Sequence, residues 1–263
     1  MKVTTLMENT ACAERYAAEH GLSLFIETKK INILFDSGSS EAFADNAEKL
    51  GVDLGTADIA ILSHGHYDHS GGLLRFLQCN EKAPVYVQKD AFEEHFNIEG
   101  KDIGVDPALR NSDRIVLTDG KRQLAEGVTL FTCNGEKRIR PLETNGMTVK
   151  RDGVLLPEDF RHEQYLLIEE AGRRYLFSGC SHKGIINITN WFRPDVLFGG
   201  FHFMGVSLDE AGQAFLSEAA DTLCGFDTVY YTGHCTGGAQ YKFLKQKMGD
   251  RLHYISSGSV VEV

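Results

Sequence analysis

The chain has 263 residues, of which 42% are hydrophobic, and it contains no proline- or serine-rich linker. This length and composition predict a single enzyme-sized domain over residues 1–263. Its formal net charge of −10 argues against a nucleic-acid partner held through phosphate contacts. No apolar stretch approaches the roughly 20 residues that span a bilayer, and residues 1–6 resemble a strand, so we expect a cytoplasmic protein with no membrane partner.

Apolar alternation and helical spacing predict elements in an order that suits a layered α/β sandwich. One hairpin is predicted at residues 22–28 and 31–36, and a second at residues 165–169 and 174–178. Other strands are predicted at residues 1–6, 59–63, 85–87, 128–132, 195–198, 228–232 and 253–256. Helices are predicted at residues 42–50, 71–78, 185–191, 209–223 and 239–248. We therefore expect a four-layer αββα sandwich, with two mixed sheets face to face and helices outside.

Four side chains that commonly bind metals lie within six residues, directly after a predicted strand: His64, His66, Asp68 and His69. His64 and His66 are two residues apart at the strand exit, so both imidazoles are expected to point to one side and reach one ion. Asp68 and His69 follow a turn, so a second ion fits beside the first. Two such ions can deprotonate a bridging water and hold the oxygen that it attacks. The motif therefore predicts a dinuclear metal site.

The segment from Ser63 to Leu73, with its His-x-His-x-Asp-His spacing, resembles the signature of the metallo-β-lactamase superfamily. Five further segments are similar to one branch of that superfamily: residues 19–23, 33–38, 178–185, 199–202 and 233–237. The branch is named for a synthase of methanopterin biosynthesis, which joins a dihydropterin to ribofuranosylaminobenzene phosphate. The resemblance implies the superfamily fold and metal site, whereas the chemistry differs between superfamily members.

The resemblance also implies metal ligands after later strands. A late histidine completes the shell of the second ion in the superfamily, and His234 takes that position. Cys180 stands in a slot that is usually acidic, and His182 is expected to replace the ligand that most members supply from an earlier loop. Cys180 is a further candidate ligand. We interpret His95 as part of an ordinary helix and His162 as a solvated histidine, so neither is predicted to supply the earlier ligand.

Two more residues are expected to support the site. His202 follows a predicted strand and two glycines, which allow the backbone to approach a ligand closely. Its position resembles that of a non-ligand histidine in phosphodiester-cleaving relatives, so it is predicted to protonate a leaving group or to bind an oxyanion. The alternative is a histidine stacked on its flanking phenylalanines. Asp36, at the end of a strand, is expected to orient the metal-loop backbone or an imidazole.

The segment 97–160 is long and polar, so we interpret it as an irregular, lid-like insertion that covers the metal cleft. It contains Arg138 and Arg140 within a short basic run. Guanidinium groups bind phosphate and carboxylate in a bidentate manner, which makes both residues candidates for substrate binding. The alternative is a solvated run of charge.

Together these patterns predict a metal-dependent hydrolase that activates water at a dinuclear centre, with Asp68 and His202 as catalytic residues. The expected substrate is a phosphate-containing or ester-type small molecule. Imidazole-rich ligation favours two zinc ions and is also compatible with iron or manganese. Two alternatives stay open: a pterin-type transferase, and a non-enzymatic metal or redox sensor in which Cys180 reports oxidation.

Overall fold

A computed structural model describes all 263 residues, which form two compact units. The first unit consists of Met1–Asp119, Thr144–Gln164 and Ser256–Val263, and the second of Gly120–Glu143 and Tyr165–Ile255. Each unit contains one large mixed sheet, three helices and a hydrophobic core of its own. The predicted mixed α/β class with two large sheets is thereby confirmed. The single-domain organisation stays a prediction.

Seven strands form the large sheet of the first unit: β1 (Lys2–Met7), β2 (Ser23–Glu27), β3 (Asn32–Phe35), β4 (Ile59–Ile61), β5 (Val85–Gln88), β7 (Ile115–Thr118) and β17 (Val260–Glu262). Their order is β17-β1-β2-β3-β4-β5-β7, antiparallel from β17 to β3 and parallel from β3 to β7. A small antiparallel sheet contains β6 (Glu94–Phe96), β10 (Thr148–Arg151) and β11 (Val154–Pro157). The helices are α1 (Ala42–Leu50), α2 (Tyr67–Ser70) and α3 (Leu73–Cys79).

Seven strands also form the sheet of the second unit: β8 (Lys121–Ala125), β9 (Val128–Phe131), β12 (Tyr165–Glu170), β13 (Arg173–Phe177), β14 (Val196–Phe198), β15 (Val229–Thr232) and β16 (Leu252–Tyr254). Their order is β16-β15-β14-β13-β12-β9-β8, with β13 to β16 parallel and the remainder antiparallel. The helices are α4 (Ile185–Phe192), α5 (Glu210–Cys224) and α6 (Gly238–Met248).

Local sequence explains where these elements begin and end. The short parallel strands β4 and β14 are apolar and fully buried, as strands in the middle of a covered sheet are. Helix α1 ends at Gly51, whose left-handed backbone returns its N–H to carbonyls of the last turn. Helix α5 begins after Asp209, whose carboxylate accepts from Gly212 N. No helix of the structure is both long and apolar enough to cross a membrane.

Some of the predicted elements match the structure and others do not. Both predicted hairpins are confirmed, since β2 pairs with β3 and β12 with β13. The interpretation of residues 97–160 as irregular was wrong, because β7 to β11 lie within it. Strand β11 has all four residues exposed, so it carries no alternation of buried and exposed positions that could reveal a strand. The helix expected around His95 was also wrong, because that residue lies on β6. The lid role stays a prediction.

Candidate metal centre

The metal loop, residues 63–69, lies in the first unit shortly after the end of β4. The expectation that His64 and His66 leave together from the strand was wrong in detail, because β4 ends at Ile61 and His66 is the N-cap residue of α2. The loop nevertheless brings the imidazoles together: the ring centroid of His64 lies 4.6 Å from that of His66 and 4.1 Å from that of His69. All three histidines and Asp68 are buried.

Asp36 holds this loop through three hydrogen bonds. One carboxylate oxygen accepts from Ser63 N at 2.7 Å, and the other accepts from Ser63 Oγ and from His69 Nδ1, each at 2.7 Å. Since the Ser63 hydroxyl proton goes to Asp36, its oxygen accepts from His64 Nδ1 at 2.8 Å. In the neutral form, both His64 and His69 then carry their lone pair on Nε2. A carboxylate behind a ligand histidine sets the tautomer in this way at many metal sites.

The electrostatics of the loop favour a cation. Burial by itself lowers the pKa of His69, but the carboxylates of Asp36 and Asp68 outweigh it and raise the pKa above its ordinary value. Asp68 Oδ2 lies 3.7 Å from His69 Nε2 and 3.4 Å from Nε2 of the half-exposed His20. His20 is not among the residues that the sequence predicts for the site. Imidazole nitrogens that carry a lone pair, together with a nearby carboxylate, are metal ligands that suit a divalent ion such as zinc.

Sequence reasoning missed three residues behind the loop, which are His95, Glu158 and His162. The expectation of a solvated His162 was wrong, because its side chain is fully buried and its Nδ1 accepts from Gly65 N at 2.8 Å. His95, likewise fully buried, donates from Nδ1 to Glu158 Oε2 at 2.7 Å. Gly65 and His162 are 97 residues apart, and no local pattern marks such a pair. Only the density of histidines along the chain could have drawn attention to them.

In the second unit, the turn after β13 carries two predicted ligands. Cys180 and His182 are buried there, and the turn is closed by a 2.8 Å hydrogen bond between Ser178 Oγ and Ser181 Oγ. Ser181 has φ +59°, a left-handed conformation that is uncommon outside glycine. The predicted catalytic His202 lies beside this turn, since its ring centroid is 4.4 Å from that of His182.

His234 lies in a short 3₁₀ turn after β15, is buried, and has φ +49°. One potential ligand atom each of His234, Cys180 and Cys235 lies within 4.8 Å of the others. Cys235 donates from Sγ to the Cys180 carbonyl at 3.5 Å, so the two cysteines are neighbours. Cys235 is not among the residues that the sequence predicts for the site. Its position directly after His234 was the only clue, and a lone buried thiol is common in protein cores.

The two candidate substrate-binding arginines differ in their surroundings. Arg140 is paired with Glu218 of α5, at 2.5 Å between Nη2 and Oε1. The backbone of this segment is held by Asn187 Oδ1, which accepts from Ile139 N and from Arg140 N. Arg138 has a buried Nε with no hydrogen-bond partner. Arg138 is therefore the arginine with unused donor capacity.

The sequence profile of the metallo-beta-lactamase superfamily matches residues 17–234, and the chain belongs to this superfamily. It is 25% identical to the 7,8-dihydropterin-6-methyl-4-(beta-D-ribofuranosyl)-aminobenzene-5'-phosphate synthase of Methanocaldococcus jannaschii, covering 100% of this chain and 96% of that protein. An uncharacterized protein of the same organism is 26% identical, covering 89% of this chain and 90% of that protein.

A solved structure, Tm1679, is described as a metal-dependent hydrolase of the beta-lactamase superfamily. It superposes with a TM-score of 0.82 at 25% identity, covering 100% of this chain and 99% of the other. The family resemblance and the predicted fold class are therefore confirmed. Proteins of this superfamily typically bind divalent metals, and the clustered histidine, cysteine and aspartate side chains described above are suitable ligands.

Proposed function

We propose that the protein is a metal-dependent hydrolase that acts on a phosphate-containing or ester-type small molecule. The metal loop carries the proposal. Asp36 and Ser63 fix the tautomers of His69 and His64, so that Nε2 of each ring can bind a metal beside the Asp68 carboxylate. Superfamily membership and the likeness to a metal-dependent hydrolase support the same chemistry. We also propose that the protein is cytoplasmic, as expected from the sequence.

The proposed ligands form two sets. One set consists of His64, His66 and His182, and the other of Asp68, His69 and His234, with Cys180 as a further candidate. Two bound divalent ions would supply a hydroxide nucleophile near neutral pH and polarise a substrate oxygen. Zinc suits the imidazole-rich donors, and iron and manganese are also compatible.

The remaining steps fall to side chains of the chain itself. Asp68 accepts a hydrogen bond from the attacking water and orients it. His202, half-buried beside His182, donates a proton to the leaving group. Arg138, whose Nε has no hydrogen-bond partner, binds an anionic group of the substrate through its guanidinium group, while Arg140 stays paired with Glu218.

A specific observation favours a second candidate, a pterin-type transferase: the full-length similarity to the dihydropterin synthase. In that reaction the same ions would bind a pyrophosphate leaving group, and the nucleophile would be carbon instead of water. A third candidate is a redox sensor, which would need two neighbouring thiols that can be oxidised, such as those of Cys180 and Cys235. Its readout is reversible, thiol-dependent release of zinc.

The test uses the zinc-loaded protein with bis-p-nitrophenyl phosphate and, in parallel, with a dihydropterin pyrophosphate and ribofuranosylaminobenzene phosphate. Phosphodiester turnover that falls together with zinc content in His66→Ala supports the hydrolase. We expect His202→Asn to lower kcat by about 10²- to 10⁴-fold, as loss of a general acid does, with zinc content unchanged. Pterin condensation without phosphodiester turnover would replace the hydrolase with the transferase. Full turnover and full zinc in His66→Ala would remove this loop as the catalytic centre.

A further inference from the structure

Behind the metal loop, the first unit contains a group of three buried histidines. His66, His95 and His162 are each at most 4% exposed, and one ring nitrogen of each lies within 4.8 Å of the others. The centroid of the His95 ring lies 4.1 Å from that of His162 and 5.8 Å from that of His66. Three histidines this close suggest a further metal site, and their hydrogen bonds decide whether they can form one.

Glu158 fixes the tautomer of His95. Its buried carboxylate accepts from His95 Nδ1 at 2.7 Å through Oε2, and from the backbone N–H groups of Asp159 and Phe160 through Oε1. The ring proton of neutral His95 is therefore on Nδ1, and the lone pair is on Nε2. Nε2 is buried and has no hydrogen-bond partner. His95 thus presents an unused acceptor inside the cluster, where an unpaired polar atom is costly.

His162 has the opposite tautomer. Its Nδ1 accepts from Gly65 N, so the ring proton of neutral His162 is on Nε2, 3.7 Å from Glu158 Oε1. A nitrogen that carries a proton is not a metal ligand. The three rings therefore do not form a further metal site, and the group offers one acceptor, His95 Nε2, next to a proposed metal ligand, His66.

We propose that His95, backed by Glu158, is a positioning residue for His66. A ring nitrogen of His66 lies within 4.8 Å of one of His95, and a hydrogen bond from His66 to His95 Nε2 would leave the other His66 nitrogen as the metal ligand. His162 also holds the loop, because its Nδ1 accepts from Gly65 N. Partners of this kind set the tautomer and orientation of a ligand imidazole. The proposal rests on the proposed function only in that His66 binds metal.

The first experiment measures zinc affinity by competition with a chromophoric chelator. His95→Phe keeps the ring volume but removes the acceptor, and we expect it to weaken zinc binding by about 10- to 100-fold, as loss of such partners does. His95→Gln keeps a carbonyl oxygen that can accept, and should recover part of that loss. The matched control is His253→Phe, a half-buried histidine on β16 of the second unit, which should bind zinc with unchanged affinity.

The second readout is the melting temperature of the metal-free variants. If His95 only fills space, His95→Phe and His95→Gln should differ in stability but not in zinc affinity, and that result would overturn the proposal. Zinc affinity in His95→Phe equal to wild type would also overturn it, while loss of zinc in His66→Ala would leave the proposed function intact. If His95→Phe does not fold, two-bond ¹H–¹⁵N spectra of the zinc-loaded wild type decide. An Nε2–H tautomer at His95 contradicts the proposal, and an Nδ1–H tautomer supports it.

Discussion

The two units hold their predicted ligands by different means. In the first unit, side-chain hydrogen bonds fix the metal loop: Asp36 binds the loop backbone and His69, and His162 binds Gly65. In the second unit, the ligands lie on tight turns whose backbone is unusual. Both Ser181 and His234 have positive φ there, at +59° and +49°. A ligand set can thus be organised by buried carboxylate and imidazole partners or by backbone conformation.

The difference has an energetic side. A residue other than glycine in the left-handed region costs on the order of 1–3 kcal/mol and persists only where the surrounding structure enforces it. His202, the predicted catalytic residue, has φ +58° as well. In the second unit, this conformation therefore occurs at two candidate site residues, His202 and His234, and at Ser181 between two others, as well as at Cys133, Ala171 and Arg193. In the first unit, Asp36 at φ +59° is strained, while no residue of the metal loop itself has positive φ.

The largest expected effect follows from removing the side-chain partner in the first unit. Asp36→Ala leaves three buried groups without their acceptor, and each costs about 1–3 kcal/mol. We expect the free energy of unfolding of the metal-free protein, measured in urea, to fall by about 3–5 kcal/mol on that basis. Zinc affinity should fall with it, because His69 loses the partner that fixes its tautomer.

The control for this prediction is Asp58→Ala. Asp58 also accepts from a backbone N–H, that of Asn32, but it is exposed. Its loss should cost no more than about 1 kcal/mol, the net value of a solvated hydrogen bond. Equal losses in the two variants, or unchanged zinc affinity in Asp36→Ala, would contradict the view that buried side chains organise the first unit.

A second prediction compares the effect of a glycine→alanine substitution in each of the two units. A Cβ at Gly65 would collide with the backbone carbonyl of Ala91, whereas a Cβ at Gly200 would collide with the sulfur of Cys235. Each glycine→alanine variant should lower the unfolding free energy by about 1–3 kcal/mol, as overpacking does. The collisions differ in kind: one is with fixed backbone and the other with a side chain that can be shortened.

The double variants separate the two cases. Cys235→Ala combined with Gly200→Ala should regain part of the lost stability, because the added methyl takes the place of the sulfur. Ala91→Gly combined with Gly65→Ala should regain none, because the carbonyl oxygen of residue 91 stays in place. Additive losses in the Gly200–Cys235 pair would show that the contact with the sulfur does not explain the requirement for glycine.

How far the sequence could predict this protein depends on how far apart its interacting residues are. The metal loop was predictable because four donors lie within six residues, and α1 because its apolar spacing ends at a glycine. The contact between Gly65 and His162 was not predictable, because it joins residues 97 positions apart. Strands β10 and β11 were missed because they pair mainly with each other, and β11 buries no residue.

The same reasoning applies inside the site. The sequence predicts that Cys180 and His182 lie on a turn after a strand. It does not predict the left-handed conformation of Ser181 between them, because serine has no preference for that conformation. The neighbouring thiol of Cys235 was also unassigned, since its contact with the Cys180 carbonyl depends on how β13 and β15 are arranged in the sheet. Geometry that arises from strand order has no local pattern in the sequence.

The smallest expected effect relieves backbone strain away from the ligands. Ala171 and Gly172 form the two-residue turn between β12 and β13, and both have positive φ, at +53° and +77°, as a type I′ turn requires. Asparagine tolerates this conformation better than alanine, so Ala171→Asn should raise the unfolding free energy by about 0.5 kcal/mol. Zinc affinity and turnover should not change.

The matched comparison is Ser181→Gly, which also relieves a left-handed residue. It should lower zinc affinity, because the turn loses both its Ser178–Ser181 hydrogen bond and its rigidity. If Ser181→Gly stabilised the protein and bound zinc as wild type does, the backbone conformation would suffice to organise this turn, and the Ser178–Ser181 hydrogen bond would not be needed.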